Sequence, residues 1–178
     1  SDIYSFNFNY LPETTAKATF THTFANDRTT AKIHIYKVDK ETGKAVPQGD
    51  ATLEGAVYGL YARNDIVHPD GATGIIFHAG DIVATLTTDE GGNAEVKNLY
   101  LGNYYVKEIT PSEGYLLDEE EHDVVCDYEG DLVAEVSRST TSAEQVIKQP
   151  FQLIKVSDNG DDTEAPVLSG AGFRAYLK

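Results

Sequence analysis

The chain has 178 residues, and 14 Lys and Arg against 29 Asp and Glu leave a formal net charge of −15. That balance repels phosphate backbones and anionic headgroups, which excludes nucleic acid and an anionic membrane surface as partners. With 40% apolar and 24% charged residues the chain has material for a packed core, while its one cysteine, Cys126, excludes a disulfide framework and a cysteine-based structural zinc site.

Apolar residues recur at every second position in short segments separated by Gly, Pro and Asp clusters, the period of half-buried strands. Tyr4, Phe6, Phe8 and Tyr10 alternate, Pro12 to Thr15 interrupts, and Ala18, Phe20, His22 and Phe24 resume, which predicts a hairpin. Ile33, Ile35 and Lys37 then share one face. Strands follow over 53–61 and 82–86, and Tyr104, Val106 and Glu108 share a face of the next one. Further strands are predicted over 122–128, 132–136 and 146–156. No run of 18 apolar residues and no leader-like N-terminus occurs, so no membrane insertion is expected in this segment; the missing initiator Met reads as a trimmed or mature fragment.

The chain also repeats itself. Ile33-His-Ile-Tyr-Lys37-Val matches Phe151-Gln-Leu-Ile-Lys155-Val, and Leu53-Glu-Gly-Ala-Val-Tyr58 matches Leu168-Ser-Gly-Ala-Gly-Phe173. The offset, 155 − 37 = 118 positions, is the length of one β-sandwich domain. The predicted organisation is therefore residues 1–30 as closing strands of a preceding incomplete repeat, 31–150 as a whole β-sandwich, and 151–178 as opening strands of a following incomplete repeat. Open sheet edges at both ends would favour end-to-end strand pairing between molecules.

By parity, Lys37 and Glu108 both point inward. A lone charge in an apolar core costs several kcal/mol, roughly, which drives Lys down and Glu up in pKa unless the two pair or react. Lys155 repeats the placement of Lys37 behind Phe151 and Leu153, and Asn26 follows Phe20 and Phe24 as a third inward polar group.

Four stretches together resemble the Cna-B or SpaA-like, prealbumin-like repeat domains of Gram-positive surface adhesins and pilins: Ile35-Tyr-Lys37-Val-Asp-Lys-Glu-Thr-Gly43, Leu53-Glu-Gly-Ala-Val-Tyr58, Asn98-Leu-Tyr-Leu-Gly102-Asn-Tyr-Tyr-Val-Lys-Glu108, and Pro111-Ser-Glu-Gly-Tyr115. The resemblance implies an all-β, Greek-key sandwich. It also implies, for many members, an intramolecular isopeptide bond between a first-strand Lys and a last-strand Asn or Asp, assisted by a buried Glu. By motif position Lys37 matches the amine and Glu108 the assisting acid; Lys155 matches the amine of the next repeat and Asn26 the acceptor of the preceding one. Where the closing motif should place Asn two residues before Pro, Lys148-Gln149-Pro150 stands instead. Asp123 or Asp127 could substitute only from a different strand, so a Lys37–Glu108 ion pair is expected in place of a Lys37 crosslink.

Other motifs read as structure. Leu11-Pro-Glu-Thr-Thr15 is similar to a sortase signal but lacks the following Gly and apolar tail, so a hairpin loop is expected. Asp158 to Asp162 offers calcium-type oxygens, yet Ser169 stands where a calcium hand needs Glu. The five His show no metal-ligand spacing, and Asp118 to Glu121 reads as a hydrated acidic loop. No G-x-S-x-G elbow or other nucleophile context exists, so no enzyme, no metal and no cofactor is expected.

The reading is a structural stalk repeat of a secreted protein at the cell wall or extracellular surface, with neighbouring repeats of the same protein as partners. The alternative is a ligand-binding module that recognises a host extracellular protein or glycan through loops such as 64–80, or an accessory domain of a secreted enzyme.

Overall fold

A computed structural model describes residues 27–153, 155, 170 and 172–175. The predicted N-terminal hairpin, Asn26, the sortase-like motif and the calcium-like segment lie outside the described residues, as do most of the two flanking units.

Nine strands and no helix make up the described residues: β1 Thr30–Asp39, β2 Val57–Ala62, β3 Ile66–Val67, β4 Ile75–Phe77, β5 Ile82–Thr87, β6 Asn93–Leu99, β7 Gly102–Thr110, β8 His122–Cys126 and β9 Glu135–Glu144. They form a three-stranded sheet ordered β6-β1-β9, a four-stranded sheet ordered β5-β2-β7-β8, and a β3-β4 ribbon. The all-β sandwich read from the period is the observed fold. Alternation builds it: Ala31, Ile33, Ile35, Lys37 and Asp39 of β1 are all fully buried, and their intervening neighbours are not. Opposite them, Tyr58 and Leu60 of β2, Tyr104 and Val106 of β7, and Val124 and Cys126 of β8 close the core. Burial pushes the Cys126 thiol up to about 11, so it stays protonated packing material.

Several element boundaries differ from the sequence reading. The strand expected over 53–61 begins at Val57, because Leu53 turns inward with Tyr115 and Val146 to form a small separate cluster. The stretch 64–80, expected as a loop, pairs β3 with β4. Among the described residues of 146–156 the expected strand is not formed; only Val146 makes an isolated bridge, to Tyr115. Its place as closing strand is taken by β9, which extends from within the predicted 132–136 segment and runs parallel to β1 over ten residue pairs.

One turn sets the height of Lys37 in the sheet. The Lys37 amide donates to the Gly92 carbonyl at 2.8 Å, and Gly92 has φ +73°, where a side chain is strained. A Cβ there would lie 2.7 Å from the Lys37 carbonyl oxygen. Gly92→Ala is therefore expected to lower stability by about 1–3 kcal/mol, read as a reduced urea midpoint. An unchanged midpoint would show that the turn relaxes freely.

Candidate functional site

The site is assembled by two registers. In the parallel pair, Lys37 of β1 stands opposite Ser142 of β9, so Lys37, Ser142 and Glu144 project to the same buried face. In the facing sheet, Tyr58 of β2 stands opposite Glu108 of β7. The sandwich closes these four strands onto one another and leaves Lys37, Tyr58, Glu108 and Glu144 no more than 3% exposed.

Lys37 Nζ lies 3.5 Å from Glu108 Oε1 and in direct contact with Glu144 Oε2. Tyr58 donates its hydroxyl to Glu144 Oε1 at 2.5 Å. Glu144 Oε2 has no hydrogen-bond partner among the described residues, so the amine is its immediate polar neighbour. The Tyr115 ring covers the amine from 4.9 Å. A second tier holds the carboxyls: the Asp118 amide donates to Glu108 Oε2 at 2.8 Å, and Ser142 Oγ donates to Asp118 Oδ2 at 2.9 Å while standing 3.3 Å from Glu144 Oε1. His122 Nε2 meets Asp118 Oδ2 at 2.8 Å and carries this polar line toward solvent.

The electrostatics push the central groups toward their neutral forms. Burial lowers the Lys37 pKa against the attraction of Glu108. Burial likewise raises Glu108, opposed by the Asp118 amide and by Lys37. Burial also raises the Tyr58 phenol, which therefore remains a donor at any ordinary pH. Asp39, two residues from Lys37, behaves differently. Burial pushes it up, but hydrogen bonds from Thr42, Gln48 and Tyr115 outweigh that and hold it below its ordinary value. An amine beside a carboxyl can do one of two things: form an ion pair when protonated, or attack the carboxyl carbon when neutral.

The structure thus brings together Lys37 and Glu108, as their parity predicts. It adds three residues that the sequence reading did not assign to the site. Glu144 occupies the closing-strand position for which no acceptor was found near Lys148-Gln149-Pro150. Lys148 itself is exposed and pairs with Glu41 at 2.6 Å. Asp118, expected in a hydrated loop, is drawn inward by Glu108 and Ser142. Tyr58 was read only as a motif aromatic. Of the two substitutes considered, Asp123 is exposed and bonded to Arg63, and Asp127 is exposed. Lys155, Phe151 and Leu153 are exposed rather than inward-facing, because no second layer of described strands covers them.

The signal for Glu144 was present as parity. Val136 and Val146 are buried ten positions apart, and the even positions between them, Arg138, Thr140, Ser142 and Glu144, all lie on that same face. Among metal-ligating types, Asp118, Glu120 and His122 bring one ligand atom each within 4.8 Å of one another. The Asp118 carboxylate there is already satisfied by His122 and Ser142. A separate cavity of about 220 Å³ is lined by Arg28, Val67, Pro69, Tyr100, Leu101 and Tyr128, away from the amine.

No curated protein matches the chain. Among solved structures it is similar to the TIE protein of Bacillus anthracis, at 23% identity over 67% of this chain and 18% of that one, TM-score 0.45. It is similar to the minor pilin GBS52 of Streptococcus agalactiae, at 24% identity over 71% and 49%, TM-score 0.44. It is also similar to the full-length major pilin SpaD of Corynebacterium diphtheriae, at 15% identity over 70% and 32%, TM-score 0.45. The chain spans less than half the length of each of these proteins. The family model for the SpaA prealbumin-like fold domain matches residues 31–140. That match covers well over half of the sequence, from the buried start of β1 into β9, with Lys37, Tyr58 and Glu108 inside it, and the chain belongs to the SpaA prealbumin-like fold domain family.

Proposed function

We propose that this domain is a load-bearing repeat of a secreted, wall-attached bacterial surface protein, a pilin or adhesin stalk, and that it locks itself with one amide bond between Lys37 and Glu144. Residues 1–30 and 151–178 then belong to neighbouring repeats. Family membership supports the surface role; the mechanical role rests on topology. The first and last strands of the domain lie side by side and parallel, so tension entering at Thr30 and leaving after Glu144 shears β1 against β9. A bond from Lys37 to Glu144 would carry that load across and bypass everything between.

The observation that carries the reading is the contact of Lys37 Nζ with Glu144 Oε2, sealed from water, with the Glu108 carboxyl 3.5 Å from the same nitrogen. Burial favours the neutral form of the amine, and fixed proximity replaces an improbable encounter. The Nζ lone pair attacks Glu144 Cδ and forms the new C–N bond. Glu144 enters this step as the neutral acid with its own proton on Oε2; Glu108 adds a second proton there, the Cδ–Oε2 bond breaks with loss of water, and Glu108 recovers a proton from Nζ. Glu108 ends as it began, while Lys37 and Glu144 are consumed. The event happens once per chain and is not turnover.

Intact mass of the denatured whole chain tests the reading. The expected mass is one water below that of the sequence, with a branched peptide joining the segments of Lys37 and Glu144. Glu144→Gln should instead lose one ammonia, which names the acceptor, and Lys37→Arg should lose nothing. An undiminished wild-type mass would leave Lys37 an ion-pair partner and end the crosslink reading.

A further inference from the structure

The crosslink reading leaves unexplained why a phenol is buried against the carboxyl that reacts. We propose that Tyr58 is a catalytic residue of the condensation: its hydroxyl holds Glu144 Oε1 as the carbonyl oxygen and stabilises the negative charge that develops there when Lys37 attacks. The inference rests on the Lys37–Glu144 reading and deepens it.

Three observations support it. First, the two oxygens of Glu144 are differentiated: Oε1 accepts from Tyr58 at 2.5 Å, whereas Oε2 has no hydrogen bond among the described residues and is in contact with the amine. That arrangement marks Oε1 as the atom that keeps its bond to Cδ and Oε2 as the one that departs. Second, Ser142, the other hydroxyl near Oε1, directs its single hydrogen to Asp118 at the shorter distance, which leaves Tyr58 as the close donor. Third, on the reading that 151–178 opens a following repeat, the matching position there is Phe173 where this one has Tyr58. On that reading the repeat position does not require the hydroxyl.

In the step, attack by Nζ moves the Cδ–Oε1 π pair onto Oε1, where the phenol O–H receives it without transferring its proton. The pair returns as the Cδ–Oε2 bond breaks and Oε2, carrying the acid's own proton and a second one from Glu108, leaves as water. A donor fixed before reaction in a water-free site needs no reorganisation, and removing one such donor costs about 100- to 1,000-fold in rate. Burial raises the phenol pKa, so it remains a donor throughout.

The test is a time course of water loss in whole chain made by cell-free synthesis, quenched in denaturant and read by intact mass. Tyr58→Phe is expected to condense at least about 100-fold more slowly than wild type, with the circular dichroism of the folded chain retained. A wild-type chain that never loses water overturns the amide reading itself. A wild type that condenses while Tyr58→Phe keeps pace overturns the role of Tyr58 alone. Should Tyr58→Phe fail to fold, difluorotyrosine at position 58, nearly the same shape with a stronger donor, supplies the comparison. Faster condensation than wild type supports the role, and an unaltered rate overturns it.

Discussion

Pulled from both ends, the wild-type domain is expected to show no unfolding step for the residues between Lys37 and Glu144, whereas Glu108→Gln should lengthen abruptly by roughly 350 Å. The figure follows from the 144 − 37 = 107 positions spanned by the bond and about 3.3–3.6 Å per extended residue. Glutamine keeps the shape of Glu108 but cannot relay the proton, so the amine and Glu144 remain a pair without a bond. The same comparison in solution has a thermodynamic counterpart. A covalent link across about 100 residues removes unfolded-state entropy worth about 4–5 kcal/mol on the loop-closure account. The urea midpoint of Glu108→Gln should fall accordingly. Single-molecule force spectroscopy on a tandem of the whole chain measures the step directly, and a wild type that lengthens as far as the variant would contradict a bond at this position.

The second large effect is expected from Lys37→Met, which removes the only cation among the described residues that faces the two buried carboxyls. It loses the crosslink, and it also leaves Glu108 and Glu144 without a counter-charge at a site closed to water. Removing one partner of a buried ion pair costs about 3–5 kcal/mol, so this variant should be less stable than Glu108→Gln by that order. Its pH dependence has a definite sign. Burial already raises Glu108 above its ordinary value of 4.5, and the attraction of Lys37 is one of the forces opposing that rise. Without Lys37 the folded-state pKa climbs further, and between 4.5 and that value the folded chain holds a proton that the unfolded chain has released. The associated stability is fully present below 4.5 and is lost as pH rises through the folded pKa. Lys37→Met should therefore gain stability on acidification from about pH 7 to about pH 5, as followed by urea midpoints. That window lies above the range in which Asp39, held below its ordinary value of 3.8, gives up its own contribution. A midpoint that falls over the same interval would show that the two carboxyls find compensation without the lysine.

Which residues were readable follows from what each needed. Lys37 could be placed inward because Ile33 and Ile35 fix the parity of β1, and Glu108 because Tyr104 and Val106 do so for β7. Both depend only on near neighbours in the chain. β9 escaped the same treatment because its core-facing residues between Val136 and Val146 are Arg138, Thr140, Ser142 and Glu144. Hydrophobic alternation cannot register a face that is polar by construction. Asp118 was hidden differently, in an acidic run whose other members are exposed; only its contacts with Glu108 and Ser142 separate it from Glu119, Glu120 and Glu121. Tyr58 was visible only as an aromatic of the Leu53 to Tyr58 motif, and nothing adjacent in sequence indicates that its hydroxyl meets a carboxyl 86 positions away.

The order of residues by itself determined that this is an all-β sandwich and that an amine and a carboxylic acid are turned toward its interior. A two-residue period is a local property, set by backbone geometry and by which side chains avoid water. The tertiary structure alone decided that a polar strand closes beside β1 in parallel, and hence that Lys37 meets Glu144. Pairing between segments a hundred residues apart is selected by register and by burial of the whole face at once, and no local pattern encodes that choice.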